Sequence, residues 1–148
     1  MKKLILAVIA VMFITAANAQ ILAPVKWSYA AKKLNDKEAV IFIKATVDNG
    51  WHIYSQYVKD GGPIATSFKF TPSKAYHIVG KTIEPTPATK FETAFKMNVS
   101  YFEKEVVFQQ KIKLNAGATT VKGKLEYMVC NNKQCLPPED VDFTVAVK

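Results

Sequence analysis

Apolar side chains recur with a period of two along most of this chain, and that period restricts it to strands. Between Thr120 and Cys130, Val121, Leu125, Tyr127 and Val129 share one face, while Lys122, Lys124, Glu126 and Met128 take the other. Val141, Phe143, Val145 and Val147 repeat the pattern, as do Val106, Phe108, Ile112 and Leu114 within Glu105 to Leu114, interrupted by Gln110. Such alternation marks strands with one buried face. Further strands are expected at Pro24 to Tyr29, Glu38 to Val47, Trp51 to Val58, Thr66 to Thr71 and Ala75 to Lys81. Turn residues separate them: Asp48-Asn49-Gly50, Asp60-Gly61-Gly62-Pro63, Pro72-Ser73 and Asn115-Ala116-Gly117. Glu84 to Lys90, with Pro85 and Pro87, reads as a loop, and Phe91, Phe95 and Met97 come after it without a clean period. The one place for a helical turn or two is Tyr29 to Asn35. Many short strands without a helix-length segment predict an all-β fold, an immunoglobulin-like antiparallel β-sandwich. Val121, Leu125, Tyr127, Val129, Phe143 and Val145 are its expected core.

The N-terminus reads as an export signal. Lys2 and Lys3 precede the apolar run from Leu4 to Ala17, and Ala17-Asn18-Ala19 offers small residues for cleavage before Gln20. The run is short for a membrane span, which needs about 20 residues, and no later segment is apolar enough to cross a bilayer. Residues 1–19 are therefore expected to be a cleaved signal peptide, and residues 20–148 one domain in the periplasm or another exported compartment. That compartment permits disulfides. The net charge of +8 falls to +6 once Lys2 and Lys3 are removed. Every basic residue is lysine. Nucleic-acid readout leans on the planar fork of arginine, so export and the missing arginine both argue against a nucleic-acid partner.

The chemistry rests on Cys130 and Cys135, the only two cysteines. Asn131 and Asn132 favour a turn between them, and Pro137 and Pro138 stiffen the segment just after the second cysteine. A bridge over so short a loop stabilises by about 2 kcal/mol, and a domain of this size folds without one. If the preceding strand stays regular, Cys130 falls on the lysine-bearing face, which places the pair near the surface. Two readings stand open on spacing and phase: a redox-active dithiol, or a bridge that only clamps a loop. Two cysteines without neighbouring histidines leave a zinc site incomplete, so no metal and no cofactor are expected. Lys133 would favour a thiolate here, while Glu126, Glu139 and Asp140 would oppose it.

The run Tyr127-Met-Val-Cys130-Asn-Asn-Lys-Gln-Cys135-Leu-Pro137-Pro138-Glu139 with the strand after it resembles the N-terminal periplasmic domain of the thiol:disulfide interchange protein DsbD. Asn49-Gly50-Trp51-His52-Ile53-Tyr54 is similar to that domain's aromatic strand. The resemblance implies an electron relay of the thiol:disulfide oxidoreductase type. Its partners would be thioredoxin-like redox proteins, a membrane thiol electron donor, and a periplasmic disulfide isomerase or cytochrome-maturation protein (cytochrome c biogenesis). It implies that Cys135 meets the partner and Cys130 resolves the mixed disulfide, with His52 and Tyr54 beside them. It further implies a phenylalanine cap, with Phe95 the best positional match and Phe91 the next. The better-known members carry one more residue between the cysteines, and Glu92 is the only acidic residue near the cap position. The family protein also has a transmembrane and a thioredoxin-like domain, so this chain is expected to be a stand-alone version. The competing function is a non-enzymatic β-sandwich binding module with a structural loop disulfide. A hydrolase lacks support, since no Gly-x-Ser-x-Gly run is present.

Overall fold

Period-two segments need partners for their backbone groups and a second apolar face to cover their own. The computed structural model describes residues 22–148, so the signal segment lies outside it. Eleven strands are present among the described residues: β1 (Val25–Asn35), β2 (Glu38–Val47), β3 (Trp51–Tyr54), β4 (Ser67–Phe70), β5 (Tyr76–Ile83), β6 (Ala88–Glu92), β7 (Met97–Phe102), β8 (Glu105–Leu114), β9 (Thr119–Tyr127), β10 (Val129–Asn131) and β11 (Glu139–Val147). They pair antiparallel in three sheets, ordered β1-β2-β8-β5, β10-β3-β7-β6 and β11-β9-β4. The fold is an immunoglobulin-like antiparallel β-sandwich.

The first and third sheets face each other. Ile41, Ile43, Phe108 and Ile112 from one meet Val121, Leu125, Phe143 and Val145 from the other. Aromatic pairs bridge the layers: Trp27 with Tyr127 at 5.3 Å between ring centroids, Tyr29 with Phe143 at 5.5 Å and Phe68 with Phe108 at 4.9 Å. All six residues expected in the core from their phase are buried there.

Several expectations change. The strand expected from Trp51 to Val58 ends at Tyr54. Tyr29 to Asn35 is strand, not helix. Its Ala, Lys and Leu residues favour a helix locally, but Trp27, Tyr29 and Ala31 continue one inward row, paired with Ala45, Ile43 and Ile41 of β2. The end of the loop expected over Glu84 to Lys90, and the stretch with Phe91, Phe95 and Met97 that showed no clean period, form the β6–β7 hairpin, because β7 supplies the pairing that local pattern does not show. Gln110 does not break its strand's inner row; it is buried within it. Its Oε1 accepts from Thr82 Oγ1 at 2.8 Å, and its Nε2 donates to the carbonyls of Val79 (3.0 Å) and Lys111 (2.8 Å). The register of β5 against β8 shifts between Val79 and Ile83, next to Gly80 at φ 68°. Gln110 therefore fills the hydrogen-bonding gap that this bulge leaves.

Gly123 sits opposite Phe143 in the β9–β11 ladder. A Cβ there would stand 2.5 Å from Phe143 Cζ and 2.8 Å from the Lys69 carbonyl oxygen. The ring occupies the space that any side chain would need. Gly123→Ala should destabilise the domain by about 1–3 kcal/mol through overpacking, whereas Gly117→Ala, with nothing within 4 Å of its Cβ position, should be near neutral. Urea unfolding of the two variants checks this; equal midpoints would contradict it.

Candidate redox site

The site begins where one strand changes sheets. β9 runs beside β11 up to Tyr127, which pairs with Glu139. After Met128 the chain joins β3 instead, with Val129 opposite Ile53 and Cys130 opposite His52. Adjacent residues of a strand point to opposite faces. Val129, Ile53 and Phe102 form one row and pack into the main core. Cys130 belongs to the other face, where it clusters with Tyr54 and Val99. Both faces of this small sheet are covered, so Cys130 is only 1% exposed. The expectation of a surface Cys130 assumed an unbroken β9 and is corrected by this change of sheet.

Cys135 is brought back by a tight hairpin. The Asn131 N–H donates to the Gln134 carbonyl at 2.8 Å, and the Leu136 N–H to the Val129 carbonyl at 2.9 Å. Asn131 Oδ1 accepts from the backbone N–H groups of Lys133 and Gln134, both at 2.8 Å. Cys130 and Cys135 fall opposite each other between these bonds. Their Cα atoms are 4.0 Å apart and the sulfurs are bridged at 2.02 Å. Non-hydrogen-bonded antiparallel pairs have the closest side chains, so the backbone, not only the bond, holds the sulfurs together. Cys135 is exposed, in contrast to Cys130.

The face that carries Cys130 is unusually polar for a buried one. Registers put His52 and Tyr54 of β3, Tyr101 and Val99 of β7, and Lys90 and Glu92 of β6 on it. His52 is 2% exposed. Its Nε2 lies 3.2 Å from Tyr54 Oη, 3.1 Å from Lys90 Nζ and 3.8 Å from Glu92 Oε2. Lys90 also pairs with Glu92 at 3.2 Å and stands 4.8 Å from the centroid of the Tyr101 ring. Burial and then the Lys90 charge hold the imidazole below its ordinary pKa, against the opposing pull of Glu92 and Glu103. Burial first, and Glu92 second, push the Tyr54 phenol well up, so it stays protonated.

The β6–β7 hairpin supplies the aromatic loop beside the cysteines. A cleft of about 580 Å³ separates Lys90, Phe91 and Glu92 on one wall from Asn131, Lys133 and Cys135 on the other. Phe91 is 62% exposed there. Phe95, the first positional candidate for a cap, lies in the turn beyond β6 and is not on this wall; its N–H donates to the Glu92 carbonyl at 3.2 Å. The structure thus brings together Cys130, Cys135, His52 and Tyr54, and Phe91, on the alternate face of β6 from Lys90 and Glu92, lines the cleft beside Cys135. Nothing in the local sequence marks Lys90 as a member of the site, because only the β6–β7 register reveals that it faces the histidine. His77 is remote, on β5, within 2.9 Å of Asn115 Nδ2.

A histidine with a lowered folded pKa binds fewer protons folded than unfolded. Its contribution to stability is present above the unfolded value, about 6.5, and is lost as pH falls below it. The oxidised protein should therefore lose stability on acidification from pH 7.5 to 5 by more than His52→Gln does. Urea unfolding at both pH values checks this, and identical losses would contradict it.

Residues 18–146 match the family model described as thiol:disulfide interchange protein DsbD, N-terminal. No curated protein sequence matches the chain. Among solved structures, the reduced N-terminal domain of Neisseria meningitidis DsbD superposes with a TM-score of 0.53 at 15% identity, covering 82% of this chain and 85% of that one. The same domain in complex with the N-terminal domain of Neisseria meningitidis PilB gives 0.55 at 16% identity, covering 84% and 87%. The N-terminal periplasmic domain of ScsB from Proteus mirabilis gives 0.55 at 21%, covering 83% of this chain but 44% of that one. These structures share the fold, and the family model covers nearly all of the described residues. No helix among them is long and apolar enough to cross a membrane. With that match over most of its length, the chain belongs to the family of the N-terminal domain of the thiol:disulfide interchange protein DsbD.

Proposed function

We propose that this chain is an exported electron relay in which Cys135 exchanges with partners and Cys130 resolves. The observation that carries the reading is the asymmetry of one bridged pair: Cys130 is 1% exposed and Cys135 is exposed beside an open cleft. A partner thiolate can reach only the Cys135 sulfur. Its attack forms a partner–Cys135 disulfide and expels Cys130 as the leaving thiolate. A second partner thiol then attacks its own sulfur in that mixed disulfide, leaving the partner oxidised and the relay as a dithiol. The dithiol passes its two electrons on by the reverse sequence, with Cys135 attacking an acceptor disulfide and Cys130 closing the bridge.

The family assignment supports a thioredoxin-like or membrane thiol donor and a periplasmic disulfide isomerase or cytochrome-maturation acceptor. The DsbD domain of Neisseria meningitidis, solved in complex with the PilB N-terminal domain, is a precedent for docking by this fold. Residues 20–148 are the working domain and residues 1–19 the signal that exports it. The relay must survive reduction, and it can: the bridge contributes about 2 kcal/mol, against the roughly 5–15 kcal/mol of an ordinary domain.

Phe91 serves as the cap in this reading, since it stands on the cleft wall opposite Cys135. It restricts access by small oxidants without taking part in exchange. In stopped-flow oxidation of the reduced protein, Phe91→Ala should react several-fold faster than the parent, and Phe95→Ala at the parental rate. No change for Phe91→Ala would remove the cap from the mechanism. The relay itself is tested by trapping. Cys130→Ala, incubated with a disulfide-containing thioredoxin-like protein, should accumulate a mixed disulfide through Cys135 on non-reducing gels, and Cys135→Ala should not. The opposite pattern would reverse the roles, and no adduct with either would leave the bridge a structural clamp.

A further inference from the structure

We infer that His52 and Lys90 act together as the proton store for the Cys130 sulfur. The inference rests on the relay reading above and adds a role that reading does not need. Each time a partner attacks Cys135, the electron pair of the broken S–S bond leaves on Cys130. That sulfur is buried among Tyr54 and Val99. A bare thiolate there is costly unless a cation or a proton meets it. The side chain directly across the β10–β3 ladder is His52, on the same face and equally buried.

A phenylalanine at position 52 would pack between Tyr54 and Tyr101, whose rings stand 5.3 and 5.4 Å from His52, but it would leave the buried Tyr54 hydroxyl without the His52 Nε2 that lies 3.2 Å away. Holding that hydroxyl needs no second basic group. Yet the imidazole is met by Lys90, whose Nζ lies 3.1 Å from Nε2 and whose side chain is 26% exposed. Two basic groups are thus in contact, one buried and one reaching solvent. The groups that face His52 are Cys130 from β10, Tyr54 from its own strand, Tyr101 from β7, and Lys90 and Glu92 from β6, with Glu103 acting from beyond β7. Of these, Tyr54 is held protonated and Glu92 is paired with Lys90.

On reduction, the S–S bond breaks, the Cys130 sulfur takes the electron pair, and one proton passes to it from the His52–Lys90 pair. Solvent restores that proton through the exposed end of Lys90. On oxidation, the proton of the Cys130 thiol passes to the pair as the pair releases one proton to solvent through Lys90, and the resulting thiolate attacks Cys135 in the mixed disulfide and expels the acceptor's sulfur as a thiolate. The positive charge of Lys90 favours the thiolate at the moment of attack.

The probe is 5,5′-dithiobis(2-nitrobenzoic acid), monitored by stopped-flow absorbance at several pH values. Reduced parent protein should release one chromophoric thiolate when Cys135 attacks and a second when Cys130 closes the bridge. The second phase should track Cys130 deprotonation, with a midpoint below the ordinary thiol value of about 8.5. In His52→Gln and Lys90→Met the midpoint should move up, and the second phase should slow about tenfold at pH 7, the change that one unit in thiol pKa produces. Lys90→Arg, which keeps the charge but cannot give up a proton, should keep the midpoint near the parent's without restoring the full rate. If His52→Gln fails to fold, Lys90→Met and Lys90→Arg decide the matter. Second-phase pH profiles that superimpose on the parent would overturn the inference and leave the relay standing. A parent that releases only one thiolate would overturn the relay, and the inference with it.

Discussion

The whole site depends on the chain changing sheets at Met128. For nine residues β9 belongs to the wall of the sandwich, held by β11 and β4. One residue later the chain is bonded to β3, in a different sheet, for only three residues. This short pairing does two things. It aims Val129 into the main core, which anchors the segment, and it turns the next side chain, Cys130, onto the opposite face. A regular continuation of β9 would leave the cysteine in solvent among lysines. The hairpin from Asn131 to Gln134 then holds Cys135 over it by backbone hydrogen bonds and by the Asn131 side chain, together with the disulfide. Backbone hydrogen bonds on either side of the pair thus hold it in addition to the disulfide.

Two kinds of buried polar residue stand in this molecule, and they differ in what satisfies them. Gln110 is surrounded by neutral partners whose hydrogen bonds close on themselves at the β5 bulge. It completes the core and needs nothing further. His52 is surrounded by an ammonium, a carboxylate and a phenol. Such a set carries charges where Gln110 has only neutral partners, and it is costly in a merely structural role. The position of each group is set by register: Cys130 against His52, and Lys90 and Glu92 on the strand beyond β7.

The long strands, the core rows and the class of fold were legible in the sequence, because Val121 to Val129 and Val141 to Val147 keep strict alternation, and the inward rows of β9 and β11 meet in the core. β2 and β8 run from Glu38 to Val47 and from Glu105 to Leu114, where their apolar patterns begin and end. The misreadings share a cause: local pattern cannot express what a distant partner imposes. Ala30 to Leu34 carries helix-forming residues, yet pairing with β2 extends β1 to Asn35. Between Phe95 and Phe91, the two cap positions that the family resemblance offered, the sequence could not choose; Phe91 lines the cleft beside Cys135. Lys90 looked like the end of a proline-bearing loop, and only the β6–β7 ladder turns it toward His52. The cysteine spacing left clamp and relay open, and the burial difference between the two cysteines is a tertiary fact.

The bridge between Cys130 and Cys135 is, on the relay reading, made to be broken and remade. The most direct test is its reduction potential, measured by equilibrating the protein in dithiothreitol or glutathione redox buffers and quantifying free thiols. A relay predicts a value among those of catalytic couples, about −120 to −270 mV. A potential below about −300 mV, typical of structural disulfides, would contradict it and make the pair a clamp on a loop.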